Sequence, residues 1–473
     1  NSTADFGRNY VSADAFKEAL ASSDPSTAYN IFGSGLGINN PNVVEGLKVN
    51  TMRNAQSELQ MFDVKAAGDL YELPGGTLAM AIGAETAKES SSDIGDSLSM
   101  SNKIVASGGT SNAGDRSREA EYVEFMVPII GEENRVTGIH SLGVQAAWRF
   151  EQYSDFGSAD NPKVGIKYAP WDRLLLRSTY QTAFKAPTLY QLYMGESISY
   201  PFLRDPARGD DGMQYRTKSG GNEDLTPEET DTISAGAVLD IPMPENMELN
   251  VSVNWSSHEM ENVITSIGAQ YMLNNEDLFK DKIVRNPQTD EDKEKGIPGS
   301  IKHINNSYLN LAEREIEALD FGVRYRIDTS VGSFVSQLGA TYLYKYDNKP
   351  RPKNDDGSPA GFLEEAGSYG APEWRGQTSL DWYYDRYSVG ARVYYVDSFD
   401  QLYGAVSEVD SHTTLDLHAS YAINDNATIA IGAANVTDED PPWSDSESAG
   451  YSFGAAGHDP LGTTLYGRLS VRF

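Results

Sequence analysis

The chain has 473 residues, among them 43 Gly, 27 Tyr and no Cys, with a formal net charge of -31. The lack of cysteine excludes disulfides and thiolate metal sites, and the negative charge argues against nucleic acid or any other polyanion as partner. No run approaches the roughly 18 apolar residues a spanning helix needs, so a membrane-crossing chain would have to cross with strands.

In chain order, Ala13 to Leu20 reads as a short helix behind a cap at Ser12. From Phe62 onward, apolar and polar residues alternate in segments joined by turn residues, the pattern of strands and hairpins. Phe62 to Leu70 pairs with Leu78 to Ala84 at Pro74-Gly75-Gly76, and Val123 to Ile129 with Leu142 to Phe150. Val164 to Tyr168 meets Leu174 to Tyr180 across Pro170-Trp171-Asp172, and Ile233 to Ile241 meets Met247 to Trp255 across Pro242-Met243-Pro244. Leu319 to Ile327 pairs with Phe334 to Tyr346 at Thr329 to Gly332, Gln377 to Tyr384 with Tyr387 to Val396 at Asp385-Arg386, and Thr413 to Ile423 with Ala427 to Asn435. The last segment, Thr463 to Phe473, sets Leu465, Gly467, Leu469 and Val471 against Tyr466, Arg468, Ser470 and Arg472. About 9–11 alternating residues suffice to cross a bilayer with one face in lipid and one in a polar lumen.

About fifteen such strands predict an all-β fold, an antiparallel transmembrane β-barrel over residues 57–473, with 1–56 as the tail of a loop carrying the short helix. A sheet this large is expected to belong to a closed barrel, because an open one leaves long unpaired edges. Short turns share one parity, and the connections Thr182 to Glu228, His258 to Glu313, Asp347 to Trp374 and Val436 to Gly462 share the other. Acidic runs such as Asp210-Asp211, Asp355-Asp356 and Asp438-Glu439-Asp440 place the charge on connections. The N-terminus has no signal-peptide character, so an exported protein is expected to begin upstream of residue 1.

Strings at the strand ends then resemble a known family, the TonB-dependent outer-membrane receptors. They are Tyr29-Asn30-Ile31-Phe32-Gly33, Gly68-Asp69-Leu70-Tyr71-Glu72-Leu73-Pro74, Tyr153-Ser154-Asp155-Phe156-Gly157, Ala183-Phe184-Lys185-Ala186-Pro187, Asn222-Glu223-Asp224-Leu225-Thr226-Pro227-Glu228-Glu229 and Asn435-Val436-Thr437-Asp438, with Tyr451 and a closing Phe473. Lys185 departs from the Arg more usual there, keeping charge but losing a bidentate donor. The resemblance implies a barrel of about 22 strands, a plug domain and further strands upstream, and TonB-dependent uptake of a scarce ligand of the siderophore-iron, vitamin or oligosaccharide class. It also implies a bacterial outer-membrane location with long loops extracellular and short turns periplasmic, contact with lipid and lipopolysaccharide, and delivery by the barrel-assembly machinery, which would read Tyr466, Arg468 and Phe473. A passive porin-like channel is the alternative.

Candidate ligand residues lie in the connection between Thr182 and Glu228: Lys185, Arg204, Arg208 and Arg216 as cations beside Tyr190, Tyr193 and Tyr200, a combination suited to an anionic or polyhydroxylated ligand. The competing reading is that these cations neutralise Asp205, Asp210 and Asp211. Inward Arg149, Arg177, Arg324, Arg326, Arg392 and Arg468 are expected to pair with wall carboxylates such as Glu151, Asp320 and Asp381, and Trp148, Trp255, Trp382, Tyr342, Tyr344 and Tyr395 to form the membrane girdle. His412 and His458 occupy neighbouring connections and could approach each other, but as loop histidines they are expected to be solvated. No cofactor, no metal site and no nucleophile-elbow string is read, so an enzyme is not expected.

Overall fold

The computed structural model describes residues 2–32, 37–101, 103–105, 110–209, 212–354, 358–368, 370–401, 408–444 and 458–472. Its organising feature is a 17-stranded sheet in which strands adjacent in sequence lie side by side. Sixteen strands form a wall. They are β1 (Ser2–Val11), β2 (Lys48–Leu73), β3 (Gly76–Gly95), β4 (Asn112–Ile130), β5 (Ser141–Tyr153), β6 (Gly157–Trp171), β7 (Leu174–Lys185) and β8 (Glu228–Ile241). They continue as β9 (Met247–Thr265), β10 (Leu309–Thr329), β11 (Gly332–Lys349), β12 (Trp374–Tyr384), β13 (Tyr387–Val396), β14 (His412–Asn424), β15 (Ala427–Ala434) and β16 (Thr464–Val471). The remaining strand, Leu363–Glu364, extends the far end of β11.

Each hairpin expected from the alternation is present, and every pairing in the wall is antiparallel. The turns at 74–75, 172–173, 330–331, 385–386 and 425–426 lie at one end, and the long connections at the other. Asp385 takes a positive φ of 51° in its turn, a conformation Asp tolerates better than most side-chain-bearing residues.

Register fixes the faces, because directly paired residues share a side of the sheet. The row Leu239–Val251–Val323–Leu338 is apolar, as is Trp255–Leu319–Tyr342–Trp374 nearer the long-loop end. Arg324 pairs with Asn250 and Gln337, and Arg326 with Glu248, on the opposite, polar face. The apolar side chains are left bare: Val64, Ile166, Leu338, Leu380 and Ile431 are all exposed, which in a water-soluble sheet would be a large uncovered patch. On β12 the aromatic bands at Trp374 and Trp382 are about 27 Å apart along the strand. On a tilted strand that is close to the apolar band of about 25 Å in membrane barrels.

The girdle expected at Trp148, Trp255, Trp382, Tyr342 and Tyr395 falls on the apolar face throughout. Tyr342 stacks on Trp374 at 4.5 Å. Tyr344 occupies a bulge in β11; Trp255 Nε1 donates to its hydroxyl at 2.6 Å, and that hydroxyl donates to Glu317 at 2.6 Å.

Three expectations need correction. Strand structure starts earlier than residue 57: β2 begins at Lys48, and Ser2–Val11 pairs with its first part through Ser2↔Gln56 to Val11↔Lys48. Beyond Gln56, through Phe62 to Leu70, β2 has β3 as its one wall partner among the described residues. The connection placed at His258 to Glu313 is shorter, because β9 runs to Thr265 and β10 starts at Leu309; His258 is a wall residue that hydrogen-bonds Thr232. Nor is the acidic charge confined to connections. Asp231, Glu259, Glu315 and Asp347 stand directly opposite one another across four strands, with Lys345 on Glu315 at 2.5 Å. Beyond the lipid band neither face of a strand must be apolar, so the ladder continues where the hydrophobic alternation stops.

The helix behind Ser12 is present as Ala13–Ala21, with Ala15 N–H donating to Ser12 Oγ.

Candidate functional site

The connections following β7 and β9 fold together rather than looping separately. Segments Ser197–Ser199, Thr217–Ser219, Ile283–Arg285 and Ile301–Asn305 form a second sheet of four strands, in which Thr217 and Lys218 run parallel to Ile304 and Asn305. Beside it lies a hydrophobic core of Met272, Ile304, Tyr271, Phe279, Leu203 and Tyr215, all buried. This cap is pinned by Arg285, whose guanidinium donates to both oxygens of Asp205 at 2.7 and 3.0 Å and to Glu276 at 2.8 and 2.6 Å. Those two carboxylates raise the Arg285 pKa further above its ordinary value, so the group is permanently charged. The connection after β11 docks here too: Lys353 binds Asp277 at 2.7 Å, Tyr271 OH donates to Lys353 O, and Arg351 lies 4.7 Å over the Tyr271 ring.

The cap is joined to the wall by residues of the strand-end strings. Glu228, nearly fully buried, accepts from Lys185 at 3.1 Å and from Ile264 N–H at 3.1 Å. Asn310 and Thr226 exchange two hydrogen bonds, and Leu225 is buried between these contacts. After Lys185 the chain crosses the polar face of the wall. Buried Arg116 donates to Pro187 O at 2.7 Å while pairing with Glu89 at 3.1 Å and Asp155 at 3.5 Å. A capping box of Thr188 and Gln191 then starts the helix Leu189–Tyr193. The Tyr193 ring lies where a Cβ of Gly114 would be, so only glycine admits it. Burial pushes the Tyr193 hydroxyl pKa up, helped by Asp155, Glu223 and Asp115.

Of the candidate residues, Tyr200 and Arg216 are brought together. Tyr215 N–H donates to Pro201 O, continuing the antiparallel pairing past both. Arg216 also shares its neighbourhood with Lys218, Lys302 and His303, whose pKa is depressed by burial and then by these three cations. Glu196 offsets part of that charge through Lys218 at 2.6 Å. Arg216 Nε and His303 Nδ1 are buried and lack a hydrogen-bond partner among the described residues. Buried polar atoms of this kind are uncommon in native proteins and call for an explanation.

The other cations are used differently. Lys185 is held by Glu228. Arg208 binds Asp292 at 2.8 Å and donates to Pro298 O, and Arg204 has its backbone clasped on both sides by Gln270. The neutralising partner expected at Asp205 belongs to Arg285 instead, and Asp210 and Asp211 lie outside the described residues. Tyr190 is exposed on the crossing helix, away from the Arg216 patch in sequence and in secondary structure.

On the wall, Arg149 pairs with Glu151 at 2.6 Å as expected, within a network that adds Arg118 and Glu85. Arg326 instead takes Asp328, Asp381 takes His418, and Asp320 accepts from Thr341. Tyr466 and Arg468 face the polar side of β16, Tyr466 packing into the space left by Gly432; Phe473 and Tyr451 lie outside the described residues. His412 and His458 do meet, their ring centroids 5.2 Å apart, but both are buried, not solvated, with Phe399 stacked on His458. Among the described residues no group of three or more His, Cys, Asp or Glu is arranged to hold a metal ion.

A family model described as TonB dependent receptor-like, beta-barrel, matches residues 3–436. This chain belongs to that family. The TonB-dependent receptor chain is also similar in fold to solved outer-membrane receptors at low identity. The siderophore receptor PirA of Acinetobacter baumannii aligns at TM-score 0.54 and 16% identity, over 94% of this chain and 57% of that one. The ferric enterobactin receptor PfeA of Pseudomonas aeruginosa, in complex with BCV-L6, aligns at 0.59 and 16%, over 92% and 56%. A double mutant of the Serratia marcescens hemophore receptor HasR, in complex with HasA and heme, aligns at 0.55 and 15%, over 90% and 62%. The TonB-dependent receptor chain thus spans little more than half of these proteins. No curated protein sequence matches it.

Sequence reasoning missed Arg285, Arg116, His303 and Lys218. Only Arg116 had a local signal, the strings around Asp155 and Pro187 that it joins; Lys218 and His303 acquire their neighbours through distant segments, and Arg285 joins Glu276, nine residues back, to Asp205, eighty residues back.

Proposed function

We propose that this chain is the ligand-capturing barrel portion of a TonB-dependent receptor that imports a scarce anionic ligand across the bacterial outer membrane. The long connections are extracellular and the short turns periplasmic, and TonB acts through a plug that the barrel houses. Lipid and lipopolysaccharide surround the apolar face, and Tyr466 and Arg468 present the last strand to the assembly machinery. The supporting observation is the patch of Arg216, Lys218, Lys302 and His303 beside Tyr200 on the cap, where Arg216 Nε and His303 Nδ1 are buried without a hydrogen-bond partner among the described residues. Charge-assisted hydrogen bonds from Arg suit carboxylate or catecholate oxygens, and the ring offers a stacking face. Among the classes imported by such receptors this favours an iron-siderophore complex or an acidic oligosaccharide over a neutral sugar.

The test is binding of ferric catecholates, ferric citrate, haem and neutral maltooligosaccharides to the full-length receptor and to its Arg216→Gln/Lys218→Gln variant. An anionic ligand bound by the parent and weakened about tenfold or more in the variant, with heat stability unchanged, is the expected result. Neutral oligosaccharide binding that is indifferent to both substitutions would overturn the reading.

A further inference from the structure

Near the short-turn end, the polar face of the wall contains a recess of about 410 Å³ spanning β3 to β7. Its floor is glycine: Gly143 and Gly165 stand on β5 and β6 in positions where side chains would otherwise fill the space. Glycine inside a strand weakens it and often marks the close approach of another group. Lys167 and Arg177 flank the floor and are directly opposed across β6 and β7. Like charges in that relation are destabilising, and here they are retained. Arg177 donates through Nε and Nη2 to Asn254 Oδ1 at 3.1 and 2.6 Å, reaching over Gly236, whose missing Cβ leaves the room. Asn254 orients the guanidinium without neutralising it. Among the described residues neither Lys167 nor Arg177 has a carboxylate within ion-pair distance. Glu124, on the same face, is occupied by Gln145 at 2.5 Å. Thr77 and Thr179 complete the polar lining, and Met126 and Pro128 close the other side.

We infer that this recess is a binding site for a small carboxylate- or phosphate-bearing anion, held between Lys167 and Arg177 on the glycine floor. It is separate from the cap patch and near the opposite end of the wall, so it stands whether or not the capture reading is correct. An anion placed between the two cations converts their mutual repulsion into two charge-assisted contacts, and a recess of about 410 Å³ limits its size to that of a short polyoxyanion. The threonine hydroxyls supply further donors.

The test is citrate binding to the purified full-length receptor in detergent at low ionic strength, followed by calorimetry. Lys167→Gln/Arg177→Gln is expected to weaken citrate about tenfold or more, whereas Lys167→Arg/Arg177→Lys keeps both charges and retains binding. Gly143→Val provides a variant independent of charge: the nearest atom to a Cβ there is 3.8 Å away, so the Cβ is accommodated, and with its methyls in the recess citrate binding is expected to be lost while the thermal transition is unchanged. Arg216→Gln on the cap is expected to leave citrate binding at the recess unchanged, which separates this site from the capture site. No citrate binding by the parent receptor, or equal binding by Lys167→Gln/Arg177→Gln and by Gly143→Val, would overturn the inference. Binding that is abolished by Arg216→Gln alone would also overturn it, by moving the anion to the cap.

Discussion

The wall and the cap are built by opposite rules. In the wall every strand is held by its sequence neighbours through a continuous ladder, while large apolar side chains such as Leu338 and Ile431 remain exposed to whatever surrounds the sheet. In the cap the ladders are short and the side chains are hidden: Met272 and Ile304 have no exposed surface, and the mostly covered Arg285 pairs with buried Asp205 and half-buried Glu276. Backbone hydrogen bonding carries the first region and side-chain burial the second. Connecting segments can therefore be packed around a core of their own without being part of the barrel, which departs from the usual exposure of such segments.

The largest expected effect comes from removing the charge at the centre of the cap. Arg285→Ala leaves Asp205 buried without its cation, a change that costs about 3–5 kcal/mol in comparable sites, and removes the partner of half-buried Glu276 as well. Cap amides are expected to lose protection from hydrogen exchange while the wall's thermal transition is unchanged. A joint loss of wall and cap would break the distinction between them.

Truncations sharpen it further. Met272→Ala is expected to cost about 2–5 kcal/mol of cap stability, as for fully buried side chains. Leu338→Ala, on the exposed face of β11, is expected to have little effect in detergent. The reverse contrast applies to charge: Val323→Arg, on the apolar face, is expected to cost about 2–4 kcal/mol when the sheet is in a bilayer, measured by urea titration of reconstituted protein. A neutral result there would place the lipid face wrongly.

The smallest effect concerns pH. His303 is held below its ordinary pKa of 6.5 by burial and by neighbouring cations, so the folded cap disfavours the protonated ring. Its contribution is intact above pH 6.5 and is lost as pH falls through that value toward the lowered one. His303→Gln is expected to flatten this acid-side decline in cap protection. A bound anion has the opposite sign, since it stabilises imidazolium, and is expected to raise the His303 pKa in an NMR titration.

The wall was legible in the sequence because a lipid-facing strand must alternate, and the alternation sets pairing and register together, as in Leu319 to Ile327. Legibility failed where that requirement ends. The first half of β2, Lys48 to Met61, and the end of β9 past Ser256 lie beyond the apolar band, so polar residues occupy both faces and the period disappears while the ladder continues. The cap was illegible for a different reason. Its core joins Leu203, Tyr271 and Ile304 across long intervals of sequence, and Arg208 meets Asp292 only because two connections fold on each other. Of the candidate site, Tyr200 and Arg216 were identified by residue type, whereas Arg204 and Arg208 belong to the cap's own framework. His412 and His458 were placed near each other correctly from topology, but their burial depends on side chains such as Phe399 that adjacency alone does not reveal.

Amide hydrogen exchange on the purified protein tests the central claim most directly. If the cap is a folded unit presenting the Arg216 patch, then Ile283–Arg285, Thr217–Ser219 and Ile301–Asn305 exchange slowly, on the scale of the wall strands, and Arg285→Ala releases them together. Exchange of these segments as fast as the turns at 330–331 and 425–426, in the unsubstituted protein, would contradict it.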